Sequence, residues 1–192
     1  MTAAPERHDL LDQLTRAVAS VDALVAGVRP EQWSAPTPCS EWTVRRLVGH
    51  LSGMNRVFVA LLAGQRPPRP GEAPEDADPV AAFRTSAASL QTAFAAPGTL
   101  ERTFAGPMGS ATGAERLQIR LYDLLAHGWD LAVATGQPVA MPEDVAEHAL
   151  TFVRGQLSDD ARPGRFDAAR PVADDAPAIN RLVAFLGRAV SA

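Results

Sequence analysis

Two histidines and one aspartate in this 192-residue chain are spaced so that they could bind a metal ion. Asp123 stands four residues before His127, which places both side chains on one helical face, one turn apart. A helix can present two metal ligands to one ion in this way. His50 is the natural third ligand, because it falls on the apolar stripe of another predicted helix, where an imidazole needs a polar partner. Two imidazoles and a carboxylate with open coordination positions would suit Zn²⁺ or another divalent transition metal.

The same residues also have a simpler interpretation. An Asp and a His four residues apart form a hydrogen-bonded pair more often than a metal site. A lone histidine on an apolar stripe is more often bonded to a backbone carbonyl than to a metal. Asp130, three residues after His127, either orders that imidazole or faces solvent. Spacing alone therefore favours a plain Asp–His pair and leaves the metal site as the alternative.

The other reactive side chains give weaker signals. Cys39 has no neighbour in sequence that would lower a thiol pKa, so it is interpreted as a partly buried loop thiol rather than a nucleophile. It is the only cysteine, so the chain has neither an internal disulfide nor a cysteine metal cluster, which agrees with a reducing compartment. Trp129 is interpreted as a packing anchor. His8 and His148 lack an acid-plus-histidine context and are predicted to lie on the surface.

Six amphipathic helices are predicted to position these residues. Apolar residues recur at spacings of three and four over 9–25, from Thr43 to about residue 61, from Asp78 to about residue 95, over 114–135, and from about 141 and 174 onward. Thr43 and Asp78 are predicted N-caps, and Gly136 is a predicted C-cap. The prolines between residues 30 and 38 indicate a loop anchored by Trp33 and Trp42. No strand alternation is convincing beyond a short extended piece at 101–106, so an all-α four-helix bundle with additional short helices is predicted.

Length, composition and charge restrict the class of protein. A chain of 20.3 kDa that is 46% hydrophobic is expected to form a single globular domain over residues 1–192. The net charge is −4, and the 18 basic residues, all arginine, are dispersed, which argues against a nucleic-acid partner. No segment has the apolar run of a signal peptide or of a bilayer span. The protein is therefore expected to be cytoplasmic and to have no membrane partner.

Two segments together resemble a known family. TPCSEWTVRRLVGHL at 37–51 and DLLAHGWDLAVATGQP at 123–138 are similar to the signature segments of the DinB/YfiT-like metal-binding bundles, in the branch that includes mycothiol-dependent maleylpyruvate isomerase. The sequence RFDAARPVADDAPAINRLVAFLGR at 165–188 resembles the C-terminal segment of short members of that branch. The resemblance implies a DinB-like four-helix bundle, with residues from about 158 to 192 packed as a tail. It also implies that His50, Asp123 and His127 hold the metal. The isomerase has Glu in place of Asp123, and its second domain is not matched, so its substrate does not carry over.

The resemblance implies a thiol-dependent S-transferase or isomerase that acts on a small electrophilic molecule. Its metal, Zn²⁺ first and Ni²⁺, Mn²⁺ or Fe²⁺ as alternatives, would bind the sulfur of a low-molecular-weight thiol such as mycothiol and favour the thiolate. Arginine-containing loops at 64–78 and 158–175 are expected to shape the substrate mouth. Two alternatives stay open. One is a metal-dependent hydrolase, and the other is a non-catalytic bundle that binds a small molecule or another subunit, a homodimer included. The sequence identifies no catalytic residue beyond the metal ligands and no thiol-binding residue.

Overall fold

Six α-helices and one short β-hairpin form the part of the chain that the structure describes. The computed structural model describes residues 7–39, 42–66, 76–106, 109–158, 162 and 166–190. The helices are α1 (Arg7–Ala26), α2 (Val44–Leu62), α3 (Pro79–Ala95), α4 (Gly113–Thr135), α5 (Glu143–Gln156) and α6 (Ala178–Phe185). A 3-10 turn at Pro30–Gln32 lies between α1 and α2. None of the described helices is both long and apolar enough to cross a membrane.

The first four helices form a bundle around one core. Helix α1 contacts α3 and α4, and α2 contacts the same two helices, so each helix has two neighbours in a closed ring. Their inward faces are largely Leu, Val and Phe, and Leu47, Leu51 and Leu124 are fully buried. Burial of such side chains stabilises the fold by about 1.5–3 kcal/mol each. Helices α5 and α6 pack on each other and on α4. The predicted all-α four-helix bundle with additional helices is confirmed.

Local signals in the sequence set several helix ends. The Thr43 hydroxyl accepts a hydrogen bond from the Arg46 backbone N–H at 3.3 Å, and the Asp78 carboxylate accepts one from the Ala81 N–H at 3.0 Å. Gly136 ends α4 with a left-handed φ of 68°. The three predicted caps are therefore confirmed, and each has the physical basis expected, because unpaired backbone groups at helix ends are satisfied locally.

Two local predictions needed correction. Strand β1 (Thr103–Gly106) pairs antiparallel with β2 (Gly109–Thr112) over four residues each, where only an extended piece at 101–106 was expected. Strands this short show too few alternating positions to be recognised. Helix α6 also ends at Phe185, well before the end of the periodic segment, because Gly187 adopts a φ of 94° that closes the helix.

Candidate metal centre

The packing of α2 on α4 brings the three predicted ligands together. One donor atom each from His50, Asp123 and His127 lies within 4.8 Å of the other two. Asp123 Oδ1 is 3.5 Å from His50 Nε2 and also 3.5 Å from His127 Nε2. Two ligand atoms about 2.0–2.2 Å from a tetrahedral Zn²⁺ are roughly 3.4 Å apart. The two observed separations therefore match the edges of a zinc coordination tetrahedron.

The imidazole of His50 has an unsatisfied nitrogen. Its Nε2 is buried and has no hydrogen-bond partner among the described residues. The 3.5 Å approach of Asp123 Oδ1 does not meet hydrogen-bond geometry. Leaving a buried polar atom unpaired costs about 1–3 kcal/mol, so native structures rarely contain one without a reason. A divalent metal ion fits this site, because it would occupy the unpaired nitrogen and the neighbouring carboxylate oxygen together.

Asp123 is an ionised carboxylate, and one of its two oxygens is hydrogen-bonded to an arginine. Its Oδ2 accepts a hydrogen bond from Nη1 of Arg120, a side chain with no solvent exposure. Burial would raise the pKa of Asp123, whereas the Arg120 guanidinium lowers it, and the net pKa is well below its usual range. Asp123 therefore stays ionised and offers only Oδ1 to a metal ion.

Arg120 belongs to a buried polar network across three helices. Its Nε and Nη2 donate to Asn55 Oδ1 at 3.0 and 2.8 Å, and Nη2 also donates to the Leu51 carbonyl at 2.8 Å. Asn55 Nδ2 donates to Ser86 Oγ on α3 at 3.1 Å. Sequence reasoning missed this network. The available signal was an arginine three residues before Asp123, on the same face as the buried Leu117 and Leu124.

The other ring nitrogen of His127 is fully engaged. Nδ1 lies 2.9 Å from Asp130 Oδ2, and the Asp130 side chain has no solvent exposure. Arg188 donates to both carboxylate oxygens, from Nη2 to Oδ2 at 2.9 Å and from Nε to Oδ1 at 3.3 Å. An ionised carboxylate only accepts hydrogen bonds, so Nδ1 carries a proton and Nε2 is the ring nitrogen that faces Asp123. Of the two roles left open for Asp130, the structure favours ordering His127.

Burial and charge act against each other at Asp130. Burial would raise the pKa of this carboxyl, whereas its hydrogen bonds with His127 and Arg188 lower it, and the net pKa is below the usual value. Asp130 is therefore an ionised acceptor at neutral pH. This is the arrangement in which a carboxylate fixes the tautomer of a metal-binding histidine.

Trp42 and Cys39 adjoin the two imidazoles. The Trp42 ring centroid is 4.7 Å from that of His50 and 5.6 Å from that of His127, so this residue covers the site as well as anchoring its loop. Cys39, His127 and Asp130 form a second group whose potential donor atoms lie within 4.8 Å of one another. Burial, with a contribution from Asp130, raises the pKa of the Cys39 thiol. The interpretation of Cys39 as a loop thiol is thus supported, although its position beside His127 was not foreseen.

The remaining predicted residues lie away from the site or beyond what is described. Trp129 is buried and donates from Nε1 to Asn180 Oδ1 at 3.3 Å, which confirms a packing role. His8 and His148 are exposed, as predicted. The two arginine-containing loops expected at the substrate mouth lie partly outside the described residues, at 67–75, 159–161 and 163–165.

Comparison with known proteins places this chain in a family. Residues 14–132 match the family described as the mycothiol maleylpyruvate isomerase N-terminal domain. The matched segment contains the three candidate ligands and Asp130, and it ends before Arg188.

Two curated relatives and two solved structures are also similar to this chain. The uncharacterised proteins MT0763 and Rv0738, from two strains of Mycobacterium tuberculosis, are each 38% identical over 178 residues, which is 91% of this chain and 95% of theirs. Two crystal structures of the mycothiol-dependent maleylpyruvate isomerase, one with a histidine replaced by alanine, superpose with TM-scores of 0.63 and 0.61 at 14% identity. Each superposition covers 76% of this chain and 68% of the other. At this identity the likeness shows the shared fold.

Proposed function

The chain belongs to the mycothiol maleylpyruvate isomerase N-terminal domain family, and from this premise we propose that it is a thiol-dependent metalloenzyme. It would act as an S-transferase or isomerase on a small electrophilic molecule. The observation that carries the proposal is the buried, unpaired Nε2 of His50 beside the free oxygen of Asp123. Without an added ligand, the His50 nitrogen remains unsatisfied in a buried position.

His50, Asp123 and His127 would hold the metal. Two nitrogens and one oxygen suit Zn²⁺ first, with Ni²⁺, Mn²⁺ and Fe²⁺ as alternatives. When bound, a divalent cation supplies the positive charge that favours the thiolate form of a coordinated thiol. Three protein ligands leave at least one coordination position open, which is the pattern of catalytic rather than structural zinc sites.

The chain's own residues prepare the ligands for this role. Arg120 occupies one oxygen of Asp123 and keeps the carboxyl ionised, so the other oxygen faces both imidazoles. Asp130 holds the proton of His127 on Nδ1. Trp42 packs against both rings and shields them from water on that side.

The nucleophilic sulfur would come from a cosubstrate. Cys39 is the only cysteine, and burial raises its thiol pKa, which disfavours the reactive thiolate. A low-molecular-weight thiol is the alternative source. Mycothiol is the thiol named for the family and for the isomerases that share this fold, so we propose it as the cosubstrate.

Elemental analysis of purified protein tests the metal assignment. We expect about one equivalent of a divalent metal in the wild type and close to none in His50→Ala and His127→Ala. His148→Ala is the matched control, because it replaces an exposed histidine distant in sequence from the candidate ligands, and it should keep its metal. A wild type without stoichiometric metal would contradict the proposal and favour the non-catalytic bundle.

A conjugation assay tests the thiol chemistry. Zinc-loaded protein is mixed with mycothiol and a generic electrophile, and the rate of thioether formation is compared with that of the metal-free protein. We expect conjugation above the metal-free control only when both metal and thiol are present. No difference from that control would count against a transferase, and turnover of an ester or amide without thiol would point instead to the metal-dependent hydrolase.

A further inference from the structure

The segment after α6 reaches back to the candidate metal centre through one side chain. We propose that Arg188 is a positioning residue of this centre, which acts through Asp130 to fix the ring orientation and tautomer of His127. The consequence for metal binding rests on the proposed function. The effect on the His127 tautomer does not, because it concerns only hydrogen bonds present in the protein itself.

The backbone after α6 is shaped to direct Arg188. The Gly187 N–H donates to the Ala184 carbonyl at 3.0 Å, and the Arg188 N–H donates to the Val183 carbonyl at 2.9 Å, which closes the helix. Gly187 has a φ of 94°, a conformation that favours glycine. A Cβ at this position would also lie 3.1 Å from backbone atoms of Asp167. The turn is therefore well defined, and it sets the starting point of the Arg188 side chain.

The guanidinium of Arg188 donates hydrogen bonds to both carboxylate oxygens of Asp130. Nη2 donates to Oδ2 at 2.9 Å and Nε donates to Oδ1 at 3.3 Å, while Nη1 donates to the Leu186 carbonyl at 3.3 Å. The planar, always charged guanidinium makes two parallel contacts that a lysine ammonium cannot reproduce. The Asp130 carboxylate is thereby fixed in orientation as well as in charge.

The fixed carboxylate determines the state of His127. Asp130 Oδ2 contacts both Arg188 Nη2 and His127 Nδ1, so the two hydrogen bonds share one oxygen. If the carboxylate could rotate, Nδ1 would lose its preferred acceptor, and the tautomer with the proton on Nε2 would become accessible. That tautomer has no lone pair directed at the metal position. Removal of the carboxylate that orients a metal-binding histidine typically lowers metal affinity 10–100-fold, and a variant that frees this carboxylate is expected to fall within that range.

The chain offers a matched control in Arg181. This arginine lies on α6, donates from Nη2 to the Glu147 carboxylate and from Nε to the Ala176 carbonyl, and so ties α6 to α5. Like Arg188, it pairs with a carboxylate on another helix, and it lies only seven residues earlier in the chain. No hydrogen bond or ion pair joins it to Asp130 among the described residues.

Two measurements on Arg188→Met, Arg188→Lys and Arg181→Met test the proposal. The first is ¹⁵N–¹H correlation of the His127 ring nitrogens in the metal-free full chain at alkaline pH, where free imidazole is neutral. The second is a Co²⁺ titration followed by visible absorption. In Arg188→Met we expect a mixture of tautomers and Co²⁺ affinity lower by about 10–100-fold. Arg188→Lys should lie between this variant and the wild type, and Arg181→Met should stay within about twofold of the wild type.

The outcomes separate positioning from a structural role. If Arg188→Met keeps the wild-type tautomer and Co²⁺ affinity and merely melts at a lower temperature, as Arg181→Met would, the proposal is wrong. If the wild type binds no Co²⁺ but Arg188→Met still changes the tautomer, the positioning role stands and the proposed metal function fails. Should Arg188→Met not fold, Arg188→Lys carries the same two measurements, and an unchanged tautomer and affinity in it would overturn the proposal.

Discussion

The two ring nitrogens of His127 have contrasting surroundings. On the Nδ1 side, Asp130 and Arg188 form a complete set of hydrogen bonds and ion pairs, and Asp130 has no solvent exposure. On the Nε2 side, Asp123 Oδ1 approaches at 3.5 Å without a hydrogen bond, and the Nε2 of His50 is unpaired among the described residues. We call these the closed side and the open side of His127.

The difference between the two sides bears on the proposed metal. Nearly all buried polar groups in native proteins are paired, so a satisfied side needs no further ligand. The open side brings two imidazole nitrogens and a carboxylate oxygen together, and the His50 nitrogen has no hydrogen-bond partner among the described residues. Arg120 does bring a positive charge to the Asp123 carboxylate, but it binds the opposite oxygen. The metal ion of the proposed function would therefore bind on the open side.

The largest expected effect concerns the closed side. Asp130→Ala should destabilise the metal-free protein by about 3–5 kcal/mol, because it leaves the partly buried charge of Arg188 without its partner. Urea unfolding in the presence of a chelator measures the loss. The control is Asp144→Ala, which removes a carboxylate paired with Arg16 at the surface and should cost far less. Similar losses in the two variants would show that the closed side is not the complete, buried unit described above.

Binding of Zn²⁺ on the open side should raise the free energy of unfolding. At a free Zn²⁺ concentration 100 times the dissociation constant, the wild type should gain about 2.7 kcal/mol of unfolding free energy. His50→Leu should gain almost nothing, because it lacks the nitrogen that is unpaired without metal. Urea unfolding with Zn²⁺ and with chelator measures both gains. Equal gains in the two proteins would mean that zinc binds elsewhere.

The sequence predicted what depends on local spacing. Three helix ends were predicted from the capping residues Thr43, Asp78 and Gly136. A cap can be recognised in the sequence because it pairs backbone groups that lie within a few residues of it. The pair Asp123 and His127 was found for the same reason, since residues four apart on a helix share a face. His50 was proposed as the third ligand from its place on the apolar stripe of another helix, whereas the preference for a metal over a plain Asp–His pair came from the family resemblance.

Contacts between distant segments could not be predicted in this way. Arg120 meets Asn55 across 65 positions, and Arg188 meets Asp130 across 58. Nothing in the spacing of either arginine specifies its partner, because the contact exists only after the helices have packed. Cys39 was likewise placed in a loop correctly, but its position beside His127 depends on how that loop folds over α4.

A smaller effect separates the two histidines in the metal-free protein. His127→Leu should cost about 1–3 kcal/mol, because Asp130 loses a hydrogen-bond donor in a buried position. His50→Leu should change the unfolding free energy by less than about 0.5 kcal/mol or stabilise the protein, because its Nε2 has no bond to lose. Chelator-treated samples in urea give both values. A loss in His50→Leu as large as that in His127→Leu would contradict the view that the open side is unsatisfied.

The smallest effect is expected for the thiol on the closed side. Cys39→Ser should leave zinc affinity and the rate of thiol conjugation within about twofold of the wild type, because burial raises the pKa of this thiol and opposes the thiolate. Slow alkylation of Cys39 by iodoacetamide, relative to a free thiol, would support the same conclusion. Loss of conjugation in Cys39→Ser would place the reactive sulfur on the closed side of His127. A retained rate would mean that the reactive sulfur does not come from Cys39, as expected if a thiol cosubstrate supplies it.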